Sequence, residues 1–383
     1  MKAVQIREFL KVREPVDTVV APESSPCLVV FRLTVENLGD VTVSDVAPPV
    51  PKEDEVVVQV KAAGVNFVDT LYARGKHQNN RRHVTPPFTL GLEFAGIVMY
   101  APRTGPGAAF QLGDRVFGSS LGAYAEQIAV PASALSAIPH GWSYAAAAGM
   151  AATLPVSYGA LVMRAQLHAG ETVLVLGAAG GLGCMAVQIA ARAVPANGGY
   201  GRCRVIAVAS SPEKCTVAQR CGADVVIDTS DTASGKPWWA RVLDATPDAR
   251  GVDVVFDSVG LVSESLKCLA HRGRVLVVGF AARDDTTLEQ VAMNRVLLKQ
   301  ATIVGYRYGE SLRRDPDENQ QIWRGLEGII AAGTIQPVVY DRPYRGLGAV
   351  ADALQDIANR RVWGKAIVDV DGVDDKDSGT SKL

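Results

Sequence analysis

The sequence has no excess of either charge: 39 Lys and Arg stand against 40 Asp and Glu in 383 residues. A chain so balanced has no global field to draw it to nucleic acid or to an acidic membrane surface. It also has no uninterrupted apolar run long enough to cross a bilayer. The N-terminus, "MKAVQIREFL", alternates like a strand and lacks the apolar stretch of a secretory leader, so none is expected. None of the six cysteines (Cys27, Cys184, Cys203, Cys215, Cys221 and Cys268) falls in a C-x-x-C pair, which reads as small buried or half-buried thiols in a reducing compartment. No internal repeat or long low-complexity segment is present. What remains is ordinary for a soluble globular enzyme: 48% hydrophobic and 21% charged, with length enough for two or so domains.

Two zones differ in pattern. Up to about Leu154 the chain is rich in short β-type runs, such as "EVVVQVKAAGV" and "EFAGIVMY", separated by proline and glycine turns. That pattern predicts a partly open β-barrel. From Pro155 to about Val304, six candidate strands ("TVLVLGA", "RVIAVAS", "DVVIDT", "VDVVFDSVG", "RVLVVGF" and "ATIVGY") alternate with helical patterns. Such alternation predicts an α/β domain with a doubly wound parallel sheet. After Gly305 come two helical patterns and a last strand, "KAIVDV". The expected domains are residues 1–154 with 305–370, an inserted domain over 155–304, and a loose acidic tail over 371–383.

The stretch "TVLVLGAAGGLGCMAVQIAARA", Thr172 to Ala193, carries the chemistry of the inserted domain. Gly177, Gly180 and Gly183 form G-x-x-G-x-x-G between an apolar strand and an amphipathic helix. It is a variant of the dinucleotide fingerprint, with alanine at the first glycine. Glycine lets the backbone turn tightly and approach a pyrophosphate, while the helix aims its first N–H groups at the negative charge. The expected contacts are Ala179, Gly180, Gly181 and Leu182. A plain glycine turn is the competing reading, and the strand-helix units that follow weigh against it.

The second strand bears on the choice of coenzyme. An NAD site usually ends this strand in Asp or Glu, which accepts from the ribose 2′-hydroxyl. Here "RVIAVAS" is followed by "SPEKC", with Ser210 and Ser211 at the tip. Ser211-Pro212 reads as an N-cap and first helical residue, which puts Lys214 in the first turn. Hydroxyls and an ammonium suit a 2′-phosphate, and a carboxylate would repel it. The expected cofactor is therefore NADPH. A solvated surface lysine is the alternative for Lys214.

Taken in order, "MKAVQIREF", "AAGVNFVDTLYARG", "PPFTLGLEFAGIV", "GDRVFG", "GAYAE", "GETVLVLGAAGGLG", "SSPEK", "GADVVID", "GVDVVFDSVG", "GRVLVVGF" and "GKAIV" resemble the zinc-independent quinone oxidoreductase branch of the medium-chain dehydrogenase/reductase superfamily. The resemblance covers nearly the whole chain. It implies a GroES-like barrel built from both chain ends, with a Rossmann domain inserted. Zinc relatives carry cysteine where this chain has Asn66 and a His-Glu pair where it has Leu92-Glu93. No cysteine lies between Leu90 and Gly122 for a structural zinc lobe, so no metal is expected.

The resemblance also implies roles for single residues. Asn66 would lie beside nicotinamide and substrate, its amide able to donate to the acceptor oxygen as enolate charge develops; an asparagine satisfying barrel backbone is the alternative. Lys214 would hold the 2′-phosphate. Arg360 matches a second phosphate-contacting arginine, with a surface helix residue as its competitor. Gly279 and Phe280 match the strand-end loop passing the nicotinamide, and Thr153 or Ser157 would fill a further nicotinamide contact. Tyr72 and Tyr124 are the candidate proton donors, beside bulk water. The chain departs from relatives at Leu71 and Thr229, where some have tyrosine, and in extra residues at Val16–Leu28 and "VPANGGYGRC".

Without a metal to polarise an alcohol or a carbonyl, the expected reaction is hydride transfer from NADPH to a conjugated acceptor whose own π system spreads the charge. Quinones, enones and other α,β-unsaturated carbonyls are the implied substrates. An enoyl-thioester (enoyl-CoA) reductase and a non-catalytic, crystallin-like NADPH-binding protein are the alternatives. Relatives are commonly homodimers joined at an edge of the Rossmann sheet, for which "RVLLKQATIVGY" is the candidate edge. Ser381, Lys382 and Leu383 form the tripeptide read by the peroxisomal import receptor, so a peroxisome or a derived organelle is the expected address.

Overall fold

Strands buried on both faces read as continuous apolar runs, and strands with one wet face alternate. Both kinds occur here, in separate parts of the chain. A computed structural model describes residues 1–8, 35–81, 83–196, 199–281 and 289–372. The chain divides into two units: Met1–Ala151 with Val339–Thr380, and Ala152–Val338. The extra segment at 16–28 with Cys27, and the terminal Ser381–Leu383, lie outside the described residues.

The first unit is built on the eleven-residue strand Glu55–Val65. It pairs antiparallel with Glu93–Tyr100, with Gln127–Pro131 and with Ala366–Asp369, the last arriving from the far end of the chain. Two register shifts bend the first of these pairings, as closure of a sheet into a barrel requires. Val56, Val58, Val60, Phe94, Val98 and Val116 fill the interior. A three-stranded sheet, Thr42–Asp45, Lys2–Ile6 and Phe88–Thr89, completes the unit.

The second unit contains six parallel strands, labelled in chain order β1 (Thr172–Leu176), β2 (Arg204–Ala209), β3 (Val225–Asp228), β4 (Val252–Asp257), β5 (Leu269–Val277) and β6 (Thr302–Gly305). Their spatial order is β3-β2-β1-β4-β5-β6, every pairing parallel. This is the doubly wound dinucleotide-binding order, whose direction reverses between β1 and β4. β1 is buried along its whole length, as a central strand covered on both faces must be. Helices α1 (Gly181–Arg192) and α2 (Pro212–Arg220) follow the first two strands.

The return to the barrel comes later than the sequence pattern suggests. Residues 305–338, expected in the barrel, belong to the Rossmann unit. The reason is the apolar stripe of the helix Pro316–Ala331, whose Ile322, Leu326 and Ile329 are fully buried. That face packs on the helix Leu154–Tyr158, closely enough that a Cβ on Gly325 would lie 2.2 Å from the Tyr158 hydroxyl. The extra residues around 194–203 form a small antiparallel hairpin, Val194–Ala196 with Gly199–Gly201.

Candidate active site

The glycine fingerprint lies at the carboxyl end of β1. Gly177 has φ +63°, a conformation that favours glycine, and turns the chain out of the strand. A Cβ on Gly183 would lie 2.2 Å from the Gly177 carbonyl oxygen, so this helical position must be glycine for α1 to pack on the turn. Gly180 is the N-cap of α1, its carbonyl accepting from Cys184 N at 2.8 Å. The N–H groups of Gly181, Leu182 and Gly183 precede the first intrahelical donor and form an anion-binding end. The Ala179–Leu182 segment is thus shaped for a pyrophosphate.

At the tip of the neighbouring strand β2, Ser211 caps α2, its Oγ accepting from Lys214 N at 3.3 Å. Lys214 sits half-buried in the first turn and Ser210 is exposed. No carboxylate stands at residues 209–211. Gly279 and Phe280 follow β5 at the same edge of the sheet; a Cβ on Gly279 would lie 3.0 Å from Ser258 O, and the Phe280 ring is about half exposed. Between these loops stands Asp257, at the end of β4 and wholly buried. Its carboxylate accepts from the backbone N–H groups of Val259, Gly260 and Leu261 at 2.7–2.9 Å. It therefore shapes the loop bordering the turn, a role that sequence reasoning missed. The signal available was an acid ending a buried strand directly before "SVG".

Ser157 and Thr153 differ in what they offer. The Ser157 hydroxyl donates to Leu182 O at 3.0 Å and is buried, so it pins α1 to the preceding helix. Thr153 heads that helix as its N-cap residue. Arg360 follows the helix Val350–Ala358 of the first unit, exposed, with φ +56°.

In the barrel unit, Asn66 precedes the short helix Phe67–Ala73. Its side chain meets two ions: Nδ2 donates to Glu93 Oε1 at 3.0 Å, and Lys365 Nζ donates to Oδ1 at 2.7 Å. Lys365 and Glu93 form a direct ion pair, with both side chains almost fully buried. Sheet register brings the three together. Gly64 faces Glu93 across one pairing and Val65 faces Ala366 across the other. A Cβ on Gly64 would lie 2.7 Å from Glu93 Oε1, so glycine makes the room that the carboxylate fills.

Asp69, also buried, accepts from the Asn66 backbone N–H at 2.8 Å and from the Tyr124 hydroxyl at 2.6 Å. Burial pushes its carboxyl up to about 7, against the opposing pull of these hydrogen bonds. The Tyr124 phenol is raised well above its ordinary value, first by its own burial and then by Asp69. Tyr72 is buried as well; its hydroxyl accepts from Asn79 Nδ2 at 2.8 Å and its ring stacks on His77. Both candidate proton donors are thus buried, the Tyr124 hydroxyl donating to Asp69 and the Tyr72 hydroxyl accepting from Asn79.

Residues 52–140 match the alcohol dehydrogenase GroES-like domain, and residues 181–326 match the zinc-binding dehydrogenase family. Mouse quinone oxidoreductase-like protein 2 is 35% identical over 291 residues, 74% of this chain and 76% of its own. The chain belongs to the quinone oxidoreductase branch of the medium-chain dehydrogenase/reductase superfamily. Human quinone oxidoreductase is 31% identical over 301 residues, covering 77% of this chain and 83% of that one. Quinone oxidoreductase from Thermus thermophilus, solved also in complex with NADPH, is 27% identical with a TM-score of 0.72, covering 97% of this chain and 100% of that one.

This member of the quinone oxidoreductase branch is an oxidoreductase enzyme with the GroES-like and Rossmann architecture. Although one matching family is described as zinc-binding, no group of three or more His, Cys, Asp or Glu converges among the described residues. At Asn66 the side chain is an amide, and at Leu92 it is an aliphatic chain with no ligating atom.

Proposed function

We propose that the protein is an NADPH-dependent reductase of quinones and other α,β-unsaturated carbonyl compounds. The observation that carries the coenzyme choice is the tip of β2. Ser210 stands in place of a carboxylate, and the Ser211 cap sets Lys214 into the first turn of α2. An ammonium and hydroxyls complement a 2′-phosphate, whereas an NAD site would offer an acceptor to a ribose hydroxyl. The glycine turn and the N-terminus of α1 fit the pyrophosphate, because Gly177 and Gly183 let the turn and the helix pack closely and leave the first N–H groups of α1 free to face an anion.

When bound, NADPH supplies a hydride to the electrophilic carbon of the conjugated acceptor. The protein's part is to bind, align and stabilise. Asn66 supplies an amide N–H for the acceptor oxygen as it gains charge. With the Tyr124 proton donated to Asp69 and the Tyr72 side chain buried, we assign protonation of the product enolate to solvent.

The protein would act as a homodimer. Helix Met293–Lys299 has no buried residue and exposes Met293, Leu297 and Leu298 by 67%, 77% and 76%. It leads into β6, the outer strand of the sheet, which carries the exposed Ile303. An apolar helix beside an open strand edge suits a second copy of the same surface.

The test follows NADPH oxidation with 1,2-naphthoquinone, 9,10-phenanthrenequinone, an alkenal and crotonyl-CoA. Turnover of the quinones or the alkenal supports the proposal. Preference for the thioester would assign the enzyme to enoyl-thioester reduction, and no turnover of any would favour a binding protein.

A further inference from the structure

We infer that Lys365 and Glu93 are positioning residues of the reaction, an ion-pair clamp that fixes and polarises the Asn66 amide. The inference rests on the proposed role of that amide as a donor to the acceptor oxygen. An asparagine side chain can turn over and exchange its oxygen and nitrogen with little change in shape, so its direction is set by its neighbours. Here the two neighbours carry opposite charges. Lys365 holds Oδ1 at 2.7 Å, and Glu93 takes one Nδ2 hydrogen at 3.0 Å. Turning the amide would set its NH2 against an ammonium and its oxygen against a carboxylate, two unfavourable contacts with nearly fully buried charges.

The clamp also changes the amide as a donor. A cation on the carbonyl oxygen draws electron density from the nitrogen and strengthens the hydrogen bonds its hydrogens make. One hydrogen is committed to Glu93. Among the described residues the second has no acceptor, while Asn66 itself is half-buried. A ligand oxygen is the chemistry that hydrogen suits.

Burying an ion pair is a poor route to stability, since apolar side chains of similar volume often do as well. Yet glycines flank this one, Gly64 accommodating both the Ala148 carbonyl and Glu93. A Cβ on Gly64 would lie 2.7 Å from the Glu93 carboxylate, and one on Gly149 would lie 3.0 Å from both Cβ and Cγ of Lys365. The titratable groups facing the pair are Asp69 and its partner Tyr124, the latter a neutral phenol.

A double-mutant cycle on the full-length enzyme with NADPH and a turned-over quinone tests the clamp. Lys365→Met should lower kcat by about tenfold or more while leaving the Kd for NADPH, read by fluorescence titration, within about twofold. In an Asn66→Ala background the same substitution should change kcat by less than about threefold, because the group it acts through is gone. The charge-neutral Lys365→Met/Glu93→Gln enzyme should melt close to the wild type and still be slow, which separates chemistry from folding. Equal losses from Lys365→Met in both backgrounds, or wild-type kcat in the charge-neutral enzyme, would overturn the clamp and leave the role of Asn66 standing. A wild-type kcat for Asn66→Ala would remove the role of the amide and the clamp with it.

Discussion

The Tyr124 hydroxyl lies 2.6 Å from Asp69 Oδ2, with both residues wholly buried in the barrel. The second carboxylate oxygen, Oδ1, has no hydrogen-bond partner among the described residues. Burial therefore dominates and raises the folded-state pKa to about 7 from an ordinary 3.8. The folded protein binds this proton more tightly than the unfolded chain does. Its stabilising contribution is full below the unfolded pKa and is lost as pH rises through the folded pKa. We predict that the unfolding free energy declines from about pH 4 to pH 7 by a few kcal/mol and that Asp69→Asn flattens this slope. Urea unfolding across the range checks it; identical slopes in both proteins would refute the assignment.

In the proposed reading Lys214 selects the coenzyme. Lys214→Ala should raise the Michaelis constant for NADPH about 10- to 100-fold, the scale of a lost hydrogen bond to a charged group. Weak use of NADH should change little. Steady-state kinetics with both coenzymes measure this, and an equal loss with each would mean the lysine does not read the 2′-phosphate.

The glycine turn is intolerant at Gly183, where any Cβ would meet the Gly177 carbonyl. Gly183→Val should cost about 1–3 kcal/mol of stability through forced backbone shifts and abolish detectable NADPH binding. Thermal melts and fluorescence titration give the two numbers. Normal coenzyme affinity in this variant would show that the turn does not hold the pyrophosphate.

The exposed face of helix Met293–Lys299 predicts the oligomeric state. Leu297→Glu with Leu298→Glu places charge where apolar surface would be buried between two copies. Sedimentation velocity should show a dimer for the wild type and a monomer for the variant, each with a native melt. An unchanged sedimentation profile would count against that interface.

Much of the inserted domain was legible because each of its signals is local. An apolar run, a glycine turn and a helix repeat along the chain, and their order maps directly onto β3-β2-β1-β4-β5-β6. The Ser211 cap on α2 was legible for the same reason. The clamp was not. "GKAIV" reads as a motif, but Lys365 reaches Asn66 across 299 residues only through the pairing of Ala366–Asp369 with Glu55–Val65. The late return to the barrel was hidden too, because the stripe of Ile322, Leu326 and Ile329 says that the helix needs a partner without saying which unit supplies it. The engagement of Tyr124 with Asp69 was equally invisible, since an aromatic hydroxyl carries no sequence mark of its partner.

The central claim is a direct passage of hydride from NADPH to a conjugated carbon. Its most direct test uses NADPH deuterated at the transferring C4 position with an enone or alkenal substrate and mass spectrometry and NMR of the product. The account predicts a single deuterium, placed at the β-carbon of the saturated carbonyl, and a solvent-derived hydrogen at the α-carbon. Saturated product with no deuterium at the β-carbon, or deuterium at the carbonyl carbon of an alcohol product, would contradict it.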